Sequence, residues 1–266
     1  ALRALAICPG DEVITTPFTW ISSAEVIGLV GATPVFADIE ADGFNLAPEA
    51  VAAAITPRTR AIIAVGLFGQ MPPLEDLEAI AAPHGIAVIE DAAQSLGATR
   101  HGVPSGAASR IATTSFFPAK PLGCFGDGGA VFTDDPDLAA RCAAIRTHGG
   151  RRRHEHALLG TNSRLDTLQA AVLLAKLPVF RGREIAARGA AAERYHTLLG
   201  DCCRVPTTAA GNTHVYAQYT VRVPHRDAVR QALADRGIPS AVYYPRCLHT
   251  QPVFAGDRHP AGAFPV

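Results

Sequence analysis

Ser115-Phe-Phe-Pro-Ala-Lys-Pro-Leu-Gly-Cys-Phe-Gly-Asp-Gly-Gly129 is the stretch on which the reading of this chain turns. It contains Lys120, one of two lysines in the protein; the other, Lys176, lies in a plain helical pattern. Histidine aside, every other basic side chain is arginine. An arginine keeps its proton in a protein and cannot act as a nucleophile, whereas a partly desolvated lysine can. Set among Phe116, Phe117, Leu122 and Phe125, the Lys120 amine is expected to be driven towards its neutral form by burial. The neutral amine is the form that condenses with a carbonyl to give a Schiff base. The bland alternative is a solvated loop lysine, and only the rest of the chain separates the two.

Working outward, the stretch is entered by an apolar run at 111–116 and left by another at 129–133, both read as strands. Upstream, 13–16, 31–38, 60–65 and 86–89 are further short apolar runs. Between them the pattern predicts helices over 20–31, 48–55 and 74–82, the second with Pro48 in its first turn. A helix over 136–146 follows. Continuous apolar strands alternating with helices imply an α/β domain with a mainly parallel sheet. Ligands of such sheets sit at the carboxyl ends of the strands. Asp91, Ser115 and Lys120 all fall at or just past such ends.

Beyond Gly150 the character changes. The charged run Arg151-Arg-Arg-His-Glu-His156 reads as a mobile loop, with anion binding the lesser reading and His154-x-His156 a weak metal signal. Ser163 and Asp166 have the spacing of a capping box ahead of a helix that Pro178 is expected to end. A second helix covers 184–199, an alternating strand 216–223, and a helix 227–236. A boundary near Phe180 divides a large domain, 1–180, from part of a small α+β domain, 181–266. The opening Ala-Leu-Arg-Ala-Leu-Ala and the closing Ala-Phe-Pro-Val are read as the ends of a piece of a longer protein.

Composition narrows the class. The 266 residues carry 24 acidic and 24 basic side chains and are 48% apolar, which points away from nucleic acid and from a polybasic membrane anchor. No apolar run is long enough to span a bilayer. Six cysteines without a C-x-x-C pair fit a cytoplasmic chain with no metal site. The glycines at 123, 126, 128 and 129 precede a strand, so they are no dinucleotide fingerprint, and a G-x-S-x-G elbow is missing.

Asp91 ends an apolar strand and Gln94 follows three residues on. Alone, Asp91 reads as a helix N-cap. Beside a reactive lysine, it suits the ring nitrogen of pyridoxal phosphate, which needs an acidic partner to stay protonated. Gln94 suits the ring's phenolic oxygen, and Ser115, five residues before the lysine, its phosphate. Trp20 is the sole tryptophan; it is as well placed to stack on a flat ring as to fill a core.

Together these segments resemble the DegT/DnrJ/StrS-type sugar aminotransferase family, pyridoxal-phosphate enzymes of the aspartate-aminotransferase fold (fold type I). The resemblance runs through 10–20, 31–38, 89–98, 115–129, 160–171 and 243–254. It implies a large domain built on a mainly parallel sheet of the seven-stranded type, and an incomplete small domain. It implies Lys120 as the cofactor-bearing lysine, Asp91 and Gln94 as ring partners, Trp20 as the stacking aromatic and Ser115 on the phosphate. Asn162 would reach the phosphate in the neighbouring subunit of a homodimer that shares its active sites. Tyr244 and His249 would lie on the substrate side. A Gly-Thr phosphate loop would lie ahead of Ala1. The implied reaction is amino transfer, with glutamate as donor, to a keto-sugar nucleotide in polysaccharide or antibiotic-sugar biosynthesis. Pro121, where many members carry Asn, tilts the substrate towards a UDP-3-keto uronic-acid sugar. A sugar dehydratase of the same fold would carry His in place of Lys120. A non-catalytic sensor on the same scaffold would have no need of the Lys, Asp and Gln set.

Overall fold

The computed structural model describes residues 1–152, 154–254 and 263–264. The first strands and helices alternate as the apolar runs predict. They are β1 (Glu12–Thr15), α1 (Ser22–Leu29), β2 (Thr33–Phe36), α2 (Pro48–Ala54), β3 (Thr59–Val65), α3 (Leu74–Ala81) and β4 (Ala87–Asp91). A small hairpin, β5 (Thr99–Arg100) and β6 (Val103–Pro104), precedes β7 (Ile111–Ser115), β8 (Gly129–Phe132) and α4 (Pro136–Arg146). Six strands form one sheet in the order β2-β1-β3-β4-β7-β8. The first five run parallel, and β8 returns antiparallel to β7.

Alternation along the strands explains the layering. Ile14, Ile62 and Val88 point to one face, where Val51 of α2 and Leu74 and Leu77 of α3 cover them. Val13, Ile63 and Ile89 point to the other, under Ile27 of α1 and Leu138 of α4. A strand covered on both faces has no polar side, hence the continuous apolar runs in the sequence. Because five strands are parallel, their carboxyl ends share one edge. The turns after β1, β3, β4 and β7 therefore converge there.

The second half departs from expectation in four places. The charged run is not a plain loop: β9 (Gly150–Arg152) and β10 (Glu155–His156) pair as a short antiparallel ribbon; Arg153 lies outside the described residues. The capping box does not form. Helix α5 (Thr167–Val179) has Asp166 at its N-cap with no side-chain bond, while Ser163 Oγ pairs with Thr161 Oγ1 at 2.7 Å. Pro178 does not end α5. The helical path continues through a wider π-turn at Phe180–Glu184 into α6 (Ile185–Leu199). The missing Pro178 N–H would have met the carbonyl of Leu174, a residue on the exposed face where water can serve instead. The alternating stretch 216–223 makes one isolated bridge, Arg204↔Arg222, and no ladder. Tyr216 takes φ of 47°, which breaks an extended path, and its ring stacks on His214 at 4.1 Å. Helix α7 (Arg226–Ala234) follows.

Candidate active site

The site is built on the shared edge of strand ends. Asp91 closes β4. Its Oδ2 accepts from the Ser23 hydroxyl at 2.9 Å and its Oδ1 from the Ala93 N–H at 3.1 Å. No helix follows, so the N-cap alternative gives way to a carboxylate held over a turn. Burial pushes its carboxyl above the ordinary range; the Ala93 N–H, the Ser23 hydroxyl and nearby Lys120 pull it back. Ser23 sits at the start of α1, where it is buried. The sequence offers no signal that a serine there serves Asp91.

Gln94 is buried and its orientation is fixed. Its Oε1 accepts from the Phe68 N–H at 2.8 Å, which leaves the amide hydrogens facing the site. The Tyr244 hydroxyl takes one of them at 3.3 Å, a long bond. Tyr244 also packs edge-on to Phe18, with ring centroids 5.7 Å apart. Burial raises its phenol pKa, while the bond from Gln94 and backbone contact with Trp20 oppose that rise. Trp20 is therefore beside Tyr244 through its backbone, and its side chain stands largely open at 58% exposure.

Lys120 is half-buried on the loop that follows β7. Burial lowers its amine pKa and the charge of Asp91 raises it, so the two groups answer each other across the site. The apolar jacket expected around the lysine is only half formed. Phe116 and Leu122 are buried with Cys124, Leu173 and Phe180, but Phe117 and Phe125 are exposed. The loop itself is tightly wound. Lys120 N–H donates to the Phe117 carbonyl at 2.9 Å, and Cys124 N–H to that of Phe116 at 2.8 Å. A Cβ on Gly123 would come within 2.5 Å of the Pro118 carbonyl, so only glycine fits there. Ser115 Oγ accepts from the Phe117 N–H at 3.2 Å, which leaves its own hydrogen free to donate. From α5, Gln169 Oε1 accepts from the Phe125 N–H at 2.8 Å and Lys176 Nζ donates to the Gly123 carbonyl at 2.5 Å. Sequence reasoning missed both α5 side chains.

Asp91, Lys120, Gln94 and Tyr244 thus gather, with Ser115 at the neighbouring strand end. Neither Asn162 nor His249 is hydrogen-bonded to them among the described residues. Asn162 is exposed, bridges to Thr147 and takes the Arg164 Nε–H at 3.3 Å. His249 is buried near Asp38, against the ring of Phe264 at 4.8 Å, and burial lowers its pKa. Its Nδ1 has no partner among the described residues. The Leu248 N–H ties this segment to the Pro17 carbonyl, just after β1.

Comparison with known proteins adds the lineage. The chain is 50% identical over 256 residues to a Pseudomonas aeruginosa UDP-2-acetamido-2-deoxy-3-oxo-D-glucuronate aminotransferase, covering 96% of this chain and 71% of that one. It superposes with a TM-score of 0.94 or above on two solved members. One is a DegT DnrJ EryC1 StrS aminotransferase from Brucella abortus, 42% identical, covering 99% of this chain and 73% of that one. The other is Streptomyces venezuelae DesV in complex with a ketimine intermediate, 43% identical, with a TM-score of 0.96, covering 99% of this chain and 71% of that one. A family model matches residues 1–266. The chain belongs to the DegT/DnrJ/EryC1/StrS aminotransferase family, whose aminotransferases depend on pyridoxal phosphate.

Proposed function

We propose that this protein transfers an amino group from glutamate to a keto-sugar nucleotide, and that Lys120 and Asp91 carry the chemistry. The observation that carries the reading is the pair itself: an amine with a lowered pKa and a carboxylate at adjoining strand ends. The residues fit pyridoxal phosphate. Asp91 has a donor on each oxygen but further lone pairs remain, so it can hold a ring N–H. Gln94 presents amide hydrogens to a phenolic oxygen, and Ser115 a hydroxyl to a phosphate. Trp20 offers an open ring face. When bound, the cofactor supplies the aldehyde that takes up the amino group and a ring that accepts the electron pair left at the donor's α-carbon. Lys120 Nζ, shifted towards its neutral form by burial, would take the proton from that carbon and deliver it to the carbon that carried the aldehyde. Asp91 in its ionised form would balance the protonated ring nitrogen, with the Ala93 N–H, the Ser23 hydroxyl and Lys120 favouring that form against burial.

Asn162 is assigned to the neighbouring subunit's phosphate, in a homodimer with shared sites. In support, Asn162 is exposed, and Leu168, Leu174 and Phe125 are exposed apolar side chains on α5 and the loop it packs against. Tyr244 and His249 are assigned to the substrate side. The likeness to the P. aeruginosa enzyme and Pro121 favour a UDP-linked 3-keto uronic-acid sugar. The small domain is taken to begin within the long helical run, near Phe180. A cytoplasmic setting agrees with six unpaired cysteines; among the described residues no helix is long and apolar enough to cross a membrane. A dehydratase or a sensor would have no use for this lysine. The test is transfer of label from 15N-glutamate to a UDP-3-keto uronic-acid sugar. Labelled amino sugar supports the reading. Release of a dehydrated sugar, or turnover retained in Lys120→Ala, refutes it.

A further inference from the structure

The two lysines of an otherwise arginine-based chain converge on one loop. Lys176 reaches the Gly123 carbonyl, and Gln169 takes the Phe125 N–H. Residues 169 and 176 lie about two turns apart on one face of α5. Leu173 between them is buried against Phe116, Leu122 and Cys124. The helix and the lysine loop are thus locked by an apolar contact flanked by two polar ones.

Helix-end electrostatics do not account for Lys176. A cation near a helix end can offset the helix dipole, but α5 does not end at Lys176: helical bonding runs on into α6. Nor does Lys176 make an ion pair among the described residues. Its ammonium donates instead to the carbonyl of a buried glycine. That glycine lies three residues from Lys120, on a loop whose winding leaves no room for a Cβ at position 123.

We propose that Lys176 and Gln169 are positioning residues that hold the 118–126 loop so that Lys120 Nζ stays beside Asp91. The proposal rests on the reading of Lys120 as the cofactor lysine. A shift of about 1 Å in a reacting group costs up to roughly a hundredfold in rate. The loop retains its own backbone bonds at Phe116 and Phe117, so a smaller loss is expected here.

The test uses the full chain loaded with pyridoxal phosphate. Lys176→Met keeps the side-chain stem and removes the donor; Lys176→Arg keeps a donor. Borohydride reduction followed by peptide mapping gives the fraction of cofactor fixed on residue 120. Steady-state rates separate kcat from KM, and melting reports the fold. Lys176→Met is expected to lower kcat and the fixed fraction by about tenfold, with the donor KM within about twofold, and Lys176→Arg to restore most of both. Lys176→Met with wild-type kcat and fixed fraction overturns the proposal. So does a loss that tracks melting and that Lys176→Arg does not recover. If Lys176→Met fails to fold, Gln169→Leu decides: a fall confined to kcat and the fixed fraction supports the clamp, and wild-type values overturn it. A wild-type chain with no cofactor on residue 120 overturns both the clamp and the reading beneath it, whereas normal fixation with an indifferent Lys176 overturns the clamp alone.

Discussion

Ser23→Ala tests whether Asp91 is held as an anion. Ser23 Oγ donates to Oδ2 at 2.9 Å from a buried position at the start of α1. A hydrogen bond to a charged group is worth about 2 kcal/mol, against about 1 kcal/mol for a bond between neutral groups. The variant should therefore be less stable by about 2 kcal/mol where Asp91 is ionised, roughly a thirtyfold change in the unfolding constant. The pH dependence follows from the sign of the shift. Burial already holds the folded pKa of Asp91 above its unfolded value. Such a group stabilises the fold below its unfolded pKa, and that contribution is lost as pH rises through the folded pKa. Losing the Ser23 donor raises the folded pKa further. The gap between the two proteins should then be widest at neutral pH and narrow to about 1 kcal/mol on acidification, once Asp91 is protonated in both. Urea titrations of both proteins from neutral pH down to the ordinary aspartate pKa of 3.8 measure it, and the acid limb of kcat should move to higher pH. A gap that stays constant with pH, or widens in acid, refutes the claim that Ser23 serves an ionised carboxylate.

Three further outcomes are expected. Gly123→Ala places a Cβ within 2.5 Å of the Pro118 carbonyl and 2.7 Å of the Phe117 carbonyl, so the loop must shift; a stability loss of about 1–3 kcal/mol, with weaker cofactor fixation, should appear in denaturant titration and reductive trapping. Leu77→Ala empties a fully buried position on the sheet-facing side of α3 and should cost about 2–5 kcal/mol, read from the urea midpoint, with kcat of the surviving fold unchanged. Mixing and refolding Lys120→Ala with Asn162→Ala should recover activity in hybrid dimers, up to about a quarter of the wild-type sites, because one site of each hybrid is then intact; mixtures as inactive as two inactive parents would place Asn162 in its own subunit's site, and an active Asn162→Ala parent would place it in none.

The sheet was legible because its signal is local. Continuous apolar runs mark strands covered on both faces, and the six strands of the main sheet lie within a residue or two of their expected places. Asp91 and Lys120 were legible because each closes or follows such a run. What the sequence hides is long-range. Ser23 and Asp91 are 68 residues apart, and Gln94 and Tyr244 are 150 apart. Nothing local says that a helix-start serine or a late tyrosine hydroxyl meets them. Lys176 looks like any helical lysine, since its meaning lies in a carbonyl 53 residues earlier. Rules of local chemistry also mislead. Pro178 reads as a stop, but a π-turn and an exposed carbonyl let the helix pass. Tyr216 to Val223 alternates like a strand, but a positive φ at Tyr216 and a single bridge leave it irregular.

Lys120 Nζ is proposed as the amine that this fold prepares for pyridoxal phosphate. Reduction of the loaded protein with borohydride, followed by digestion and mass mapping, tests it directly. One cofactor-sized mass increment per chain is expected, on the peptide that contains Lys120. An increment on the Lys176 peptide instead, or on neither, would contradict it.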